Sequence, residues 1–187
     1  MKYYNCGGLS SILLIFCVIF FSENSFAVKN YFEISSSEMQ MLPKFCKTGL
    51  TNLTQKERIW MNHLCPGLNA LNHAKLTYDN NITKKYAIQR AISHFEYTLS
   101  HAINTSYNWY VFLKRGETYE LSGDRVKALS DYQKAISLKP KSIAIHIALI
   151  DIYIKLGDLD NARKLVSRGL EIKPKSKPLL RRKKKLI

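Results

Sequence analysis

Apolar residues recur along this chain at the three- and four-residue spacing of a helix face. In "TQKERIWMNHLCPGLNALNHAKL" they fall at Ile59, Leu64, Leu68 and Leu71, and in "TKKYAIQRAISHFEYTLSHAI" at Ile88, Ala91, Phe95, Leu99 and Ala102. The "TYDNNIT" between these stretches predicts a turn, so residues 54–104 predict a pair of helices with a longer connection. Further on the pattern copies itself. At an offset of 34 residues Tyr119 meets Tyr153, Gly123 meets Gly157, Asp124 meets Asp158, Ala128 meets Ala162 and Pro140 meets Pro174, with nothing inserted. "SLKPKS" returns as "EIKPKS" in the same register. A fixed period of this length marks one structural unit stacked on itself.

Each repeated residue has a packing reason. Small residues at Gly116 and Ala128 let two antiparallel helices approach, and the bulky Phe112, Tyr119 and Tyr132 fill the space beside them. "LSGD" and "KLGD" predict a glycine in the left-handed conformation ending one helix, followed by an aspartate capping the next. Pro140 and Pro174 mark the joints between units, since proline cannot continue a helix but tolerates its first turn. The second copy departs at His146, Ile150, Val166 and Gly169, which predicts looser packing of the same fold and a packed, non-ligating His146.

The run Phe112, Arg115, Gly116, Tyr119, Ala128, Tyr132, Ala135, Pro140 resembles the tetratricopeptide repeat at nearly every consensus slot, with Arg115 in a place the family usually gives to leucine. The expected fold is therefore an all-α solenoid of antiparallel helix pairs. It has a divergent helix pair over residues 54–104, repeats at 109–142 and 143–176, and a final piece over 177–187. Two periods on, Leu180 takes the slot of Phe112 and Ile187 that of Tyr119. "KPLLRRKKKLI" is thus expected as a capping first helix, or else as a frayed tail, since six of these eleven residues are Lys or Arg.

The first 27 residues fall outside the repeat pattern. Lys2, the apolar run Ile12 to Phe21, and small residues at Ser25 and Ala27 have the layout of a secretory signal peptide cleaved after Ala27. The alternative is an uncleaved anchor in the inner membrane, although the apolar run is about half the length a spanning helix needs. Export leaves Cys46 and Cys65 as the only cysteines of the mature chain. In an oxidising compartment such a pair most simply forms one disulfide. That bond would close a loop of about 20 residues, worth on the order of 3 kcal/mol, and pin residues 28–53. The other reading is a metal site in which His63 and His73 join the two cysteines, though no Cys-x-x-Cys pair supports it.

Composition sharpens this picture only a little. The 187 residues, 46% hydrophobic, suffice for one packed domain. The balance of 29 Lys and Arg against 14 Asp and Glu gives +15, which favours anionic partners such as lipid or glycan without specifying one. No phosphate loop, nucleophile elbow or tuned carboxylate pair is present, so neither enzymatic activity nor a cofactor is expected. His94 and His101, seven apart, share a helix face with no carboxylate to complete a metal set. Sequons begin at Asn52, Asn81 and Asn104 and matter only in a eukaryotic source. Nucleic acid is disfavoured by the export signal and by the lack of any recognised binding motif.

The resemblance implies a role in holding a peptide or protein partner, in the periplasm or outside the cell, with the first helix of each repeat lining a concave groove. The family's groove slots fall here on Tyr110, Leu113, Glu117 and Glu120, then Ala144, Ile147, Asp151 and Ile154, continued by Arg181 and Lys185 if the cap forms. Family members that clamp a C-terminal carboxylate use lysines and asparagines in these slots. Apolar and acidic residues here imply instead a partner with apolar anchors and basic flanks, its acidic group lying towards Arg181 and Lys185. The bland alternative makes the acids solvated helix-face charges, with Asp151 paired to Lys185. A competing function is adhesion to anionic lipid or glycan through the basic C-terminal helix.

Overall fold

The computed structural model describes residues 34–48, 54–77, 81–101 and 106–186. The proposed signal peptide lies outside them. Contacts divide the chain into Met1–Ser35 and Ser36–Ile187. The described residues of the second unit form helices and connections: α1 (Ser36–Met41), α2 (Lys44–Thr48), α3 (Gln55–Leu76), α4 (Asn81–His101), α5 (Asn108–Ser122), α6 (Arg125–Leu138), α7 (Ile143–Leu156), α8 (Leu159–Ile172) and α9 (Lys177–Lys185). Neighbours in sequence pack as antiparallel pairs, α3 on α4, α5 on α6 and α7 on α8, with α9 closing the stack. This is the α-solenoid that the period predicts.

The turns within the two repeats follow their sequence. Gly123 and Gly157 have φ of 86° and 80°, the left-handed region open to glycine at little steric cost. Asp124 and Asp158 then accept hydrogen bonds from the backbone N–H of Lys127 and Asn161 at 3.0 and 3.1 Å, which caps α6 and α8. The backbone bond holds the Asp124 carboxyl below its ordinary pKa, and the Asn161 side-chain amide, donating at 2.7 Å, together with the backbone bond does the same for Asp158. At the start of α3, Thr54 and Glu57 form a reciprocal capping box.

Between α5 and α6, Gly116 lies flat against the Tyr132 ring. A Cβ placed there would stand 2.5 Å from a ring carbon. In the second repeat the corresponding residues are Ile150 and Val166, 0% and 3% exposed in one cluster with Ala162 and Leu179. The backbones of α7 and α8 come close to each other at fewer places than those of α5 and α6, which is the sense in which the second pair is looser. The looseness does not extend to the side chains, because the larger residue on α7 and the smaller one on α8 fill the gap. His146 is 3% exposed and hydrogen-bonds the Ser142 carbonyl through Nδ1 at 3.0 Å, a packed histidine.

The N-terminal pair obeys the same rule in a different register. A Cβ at Gly67 would meet Phe95 at 2.9 Å, so Gly67 and Phe95 stand to α3 and α4 as Gly116 and Tyr132 stand to α5 and α6. Helix α3 runs on through Pro66. Leu179 and Leu186, 0% and 7% exposed, seat α9 on Ile150, Ala162 and Val166, so the C-terminal segment is a helical cap along Lys177–Lys185.

Candidate functional site: the concave groove

The first helices of the successive pairs, α5 and α7, present one face to a groove of about 390 Å³. Tyr110, Leu113, Glu117 and Glu120 of α5 line it together with Ala144, Ile147 and Asp151 of α7, all of them predicted groove residues. Leu113 is 5% exposed and forms part of the floor. Ile154 is not among the lining residues and packs instead against the cluster around Ile150. Arg181 borders a separate outer hollow with Leu180, Lys183 and Lys184, and Lys185 is exposed.

All three groove acids are already engaged. Glu117 accepts from Lys75 Nζ at 2.6 Å and from Lys114 Nζ at 2.7 Å. Glu120 accepts from Lys155 Nζ at 2.7 Å and from the Tyr132 hydroxyl at 2.7 Å. Asp151 receives both arms of Arg182, Nε at 2.7 Å and a second N–H on its other oxygen. The predicted partner of Asp151, Lys185, is displaced by Arg182 because α9 turns that residue, the counterpart of the groove-lining Lys114 and Ala148, towards α7. A planar guanidinium also matches a carboxylate with two parallel hydrogen bonds, which an ammonium cannot do.

Burial, and then the charge of Glu117, push the Tyr110 hydroxyl up to about 12, so it stays a neutral donor. Lys139 sits 3.8 Å over the Trp109 ring at the groove edge, a cation–π contact. Trp109, Lys114 and Lys155 also line the groove, and sequence reasoning missed them. Their signal was present for the lysines: Lys114 lies three residues before Glu117, an ion-pairing spacing on one helix.

Helix α3 continues the same row of first helices. Superposing Gly67 on Gly116 puts Leu64, Leu68 and Leu71 in the slots of Leu113, Glu117 and Glu120, and Cys65 in the slot of Lys114. These leucines are 0%, 4% and 1% exposed. The segment α1–α2 lies against this part of the fold. Leu42 is 3% exposed, and the Phe45 ring meets Tyr110 edge-on at 6.1 Å. Glu38 pairs with His73, and Cys46 is bonded to Cys65 with their Cα atoms 5.8 Å apart. With both sulfurs bonded to each other, neither is a thiolate ligand. Among the described residues no group of three or more His, Cys, Asp or Glu is placed to hold a metal.

Between α3 and α4, His63 stacks on Tyr97 at 3.7 Å, and along α4 Tyr97 stacks on His101 at 3.9 Å. The Nδ1 atoms of His63 and His94 are 3.2 Å apart, so one must be an unprotonated acceptor. Burial, together with neighbouring positive charge, lowers the pKa of both.

Residues 121–187 match the family model described as tetratricopeptide repeat. No curated protein matches the chain significantly in sequence. Among solved structures, a thermophilic tetratricopeptide repeat protein of Thermus thermophilus is similar with a TM-score of 0.60 at 22% identity, over 68% of this chain and 63% of that one. The Cut9–Hcn1 hetero-tetramer of the APC/C is similar with a TM-score of 0.58 at 17% identity, over 68% of this chain and 23% of that one. PcrH, solved with the chaperone binding region of PopB, is similar with a TM-score of 0.53 at 17% identity, over 74% of this chain and 100% of that one. The chain thus spans less than two thirds of the first two structures. Repeat period, glycine-turned helix pairs, the family match and the shared fold agree: the chain carries tetratricopeptide repeat sequence over residues 121–187 and has the fold of a tetratricopeptide repeat solenoid.

Proposed function

We propose that the protein is a non-enzymatic interaction module that holds a peptide or protein segment in the groove of α5 and α7. The observation that carries this reading is the groove itself, in which the apolar Leu113, Ala144, Ile147 and Ala148 share the lining with the polar Lys114, Glu117, Glu120, Asp151 and Lys155. Buried apolar anchors supply most of an interface's affinity, and rim charges set orientation and on-rate. Glu117, Glu120 and Asp151 are held by lysines and arginine of the same chain, so basic flanks on a partner would have to displace those cations. Apolar anchors on a partner meet no such competition. That PcrH shares the fold and was solved with a PopB segment supports a protein partner.

Ala144 is exposed on the groove face, so Ala144→Arg obstructs the groove without entering the core. A partner isolated on the mature chain and then purified should bind this variant at least tenfold more weakly, about 1.4 kcal/mol, with circular dichroism unchanged. Unchanged affinity would refute the groove reading.

Export belongs to the same proposal, and it rests on the sequence of residues 1–27. N-terminal sequencing of exported material should begin at Val28, whereas recovery of intact Met1 in membranes would favour the anchored form.

One observation favours a second reading. Arg181, Lys183, Lys184 and Lys185 are exposed without an ion-pair partner among the described residues, next to the 43%-exposed Leu180. An apolar tip ringed by cations suits an anionic lipid surface. Salt-sensitive co-sedimentation with anionic vesicles, lost on reversing these four charges, would support adhesion. Its absence would remove that reading.

A further inference from the structure

The groove slots of α3 differ from those of α5 and α7 in one respect. Leu64, Leu68 and Leu71 are entirely apolar and covered, whereas Glu117, Glu120 and Asp151 are partly open. Beside Leu68 and Leu71 lies the chain's own segment Ser36–Thr48. It inserts Leu42 beside Leu68 and Leu71, meets Tyr110 with the edge of Phe45, and is tied by Cys46 to Cys65, itself in a groove slot. The fit is incomplete: a hollow of about 310 Å³ remains between Met41, Leu42, Leu68, Leu71 and Tyr110, and α1 has no buried residue.

We infer that Ser36–Thr48 is an internal occupant of the groove's N-terminal third, released when the Cys46–Cys65 bond is reduced so that a partner bearing a short amphipathic helix of the same apolar character can take its place. The occupant shows which chemistry that surface accepts: a short helix offering leucine and phenylalanine to a leucine-lined floor. One buried leucine, one ring-edge contact and the exposed Glu38–His73 pair are small against the entropy of ordering thirteen residues, so the covalent bond is the main tether of the segment. Reduction by a dithiol passes two electrons and two protons to the sulfurs. The S–S bond breaks, two thiols form, and the dithiol becomes a disulfide. The segment then competes as a tethered ligand and no longer as a fixed part of the fold.

The inference rests on reading the row of first helices as a binding face, and its test separates the two claims. Trypsin is applied to the oxidised and the dithiol-reduced full chain. Cleavage after Lys44 and Lys47 should rise at least tenfold on reduction, while cleavage within α3 to α8 stays as it was. A labelled peptide of residues 35–48, with serine in place of Cys46, is then titrated against full-length Cys46→Ser/Cys65→Ser/Leu42→Asp and against oxidised wild type. It should bind the variant and bind oxidised wild type at least tenfold more weakly. Equal cleavage in both redox states, or cleavage spreading into α3 and α4, overturns the inference, the latter because it makes the bond a structural staple. Equal binding to both proteins, or binding to neither, overturns it as well. Peptide binding that survives while Ala144→Arg leaves the purified partner's affinity unchanged counts against the groove of α5 and α7, not against this occupant.

Discussion

The helix pairs α5–α6 and α7–α8 share their turns, caps and period, yet fill the space between their helices with different chemistry. In the first, Arg115 reaches Asp131 with two hydrogen bonds of 2.7 and 2.8 Å, the side chains 15% and 3% exposed. In the second, the same two slots hold Leu149 and Leu165, packed in one apolar cluster. Likewise Gly116 with Tyr132 becomes Ile150 with Val166. The slots change in pairs: a charge on one helix is matched by a charge on the other, and a large side chain on one by a small one opposite. The unit kept by the repeat is thus the filled interface, since a close-packed interior tolerates exchange only when volume and polarity balance across it.

The comparison breaks hardest at the ion pair. Burial would pull the Arg115 pKa down, but the hydrogen bonds and charge of Asp131 outweigh it and hold the guanidinium above its ordinary value. Asp131→Leu alone leaves that charge buried without its partner and should cost about 3–5 kcal/mol in urea denaturation. Arg115→Leu together with Asp131→Leu, which copies the second repeat, should return stability to wild type or raise it by about 1–4 kcal/mol. Equal losses in the single and double variants would show that the slots do not act as a pair.

A somewhat smaller effect is expected at the glycine. Gly116→Ile drives a branched side chain into the Tyr132 ring and should destabilise by about 3 kcal/mol, the upper part of the usual overpacking range. Adding Tyr132→Val should recover at least half of the loss. Full recovery is not expected, because the Tyr132 hydroxyl also donates to Glu120. A double-mutant cycle from thermal melts measures the coupling.

The smallest effect separates the N-terminal pair from the repeats by pH. His63 and His94, with His101 and Arg90 nearby, have folded pKa values below their ordinary 6.5. Their protonation therefore favours the unfolded state, and the stability they contribute is full above about pH 6.5 and falls as pH drops through the lowered values. The cap aspartates Asp124 and Asp158, lowered from 3.8, keep their contribution until the solution is more acid still. Between about pH 7 and about pH 5, hydrogen exchange corrected for its intrinsic rate should accelerate in α3 and α4 before α6 and α8. His94→Gln should flatten that dependence. Uniform acceleration along the chain would assign it to a global effect and not to the histidine contact.

Much of the fold was legible because helix pairs at a strict period write their packing into the sequence. Gly123, Asp124 and Pro140 fixed the turns and joints, and the same residues 34 positions on confirmed the register. The N-terminal pair was legible only as helices. Gly67 lies 49 residues before Gly116, not 34, so the glycine-against-aromatic contact with Phe95 could not be found by period. In the groove, the predicted slots of α5 and α7 line the hollow apart from Ile154, since they follow from helical geometry, whereas Trp109, Lys114 and Lys155 were not read from the sequence. Nor was the cap: whether Arg181, Arg182 or Lys185 faces Asp151 depends on the rotation of a helix only nine residues long, set by how Leu179 and Leu186 seat against Val166.

The helices, their pairing, the glycine turns and the face each repeat turns towards the groove therefore follow from the order of residues, because they depend on residues close along the chain or related by one fixed offset. Tertiary structure alone decided which charges neutralise one another across helices and what covers the leucines of α3. Lys75 meets Glu117, Lys155 meets Glu120 and Arg182 meets Asp151 over separations of 42, 35 and 31 residues. Leu42 shares a hollow with Leu68 and Leu71, and Phe45 meets the Tyr110 ring. Long side chains have several carboxylates within reach, and a segment without periodicity has many surfaces it could lie on, so neither choice is made until the solenoid brings the partners to one place.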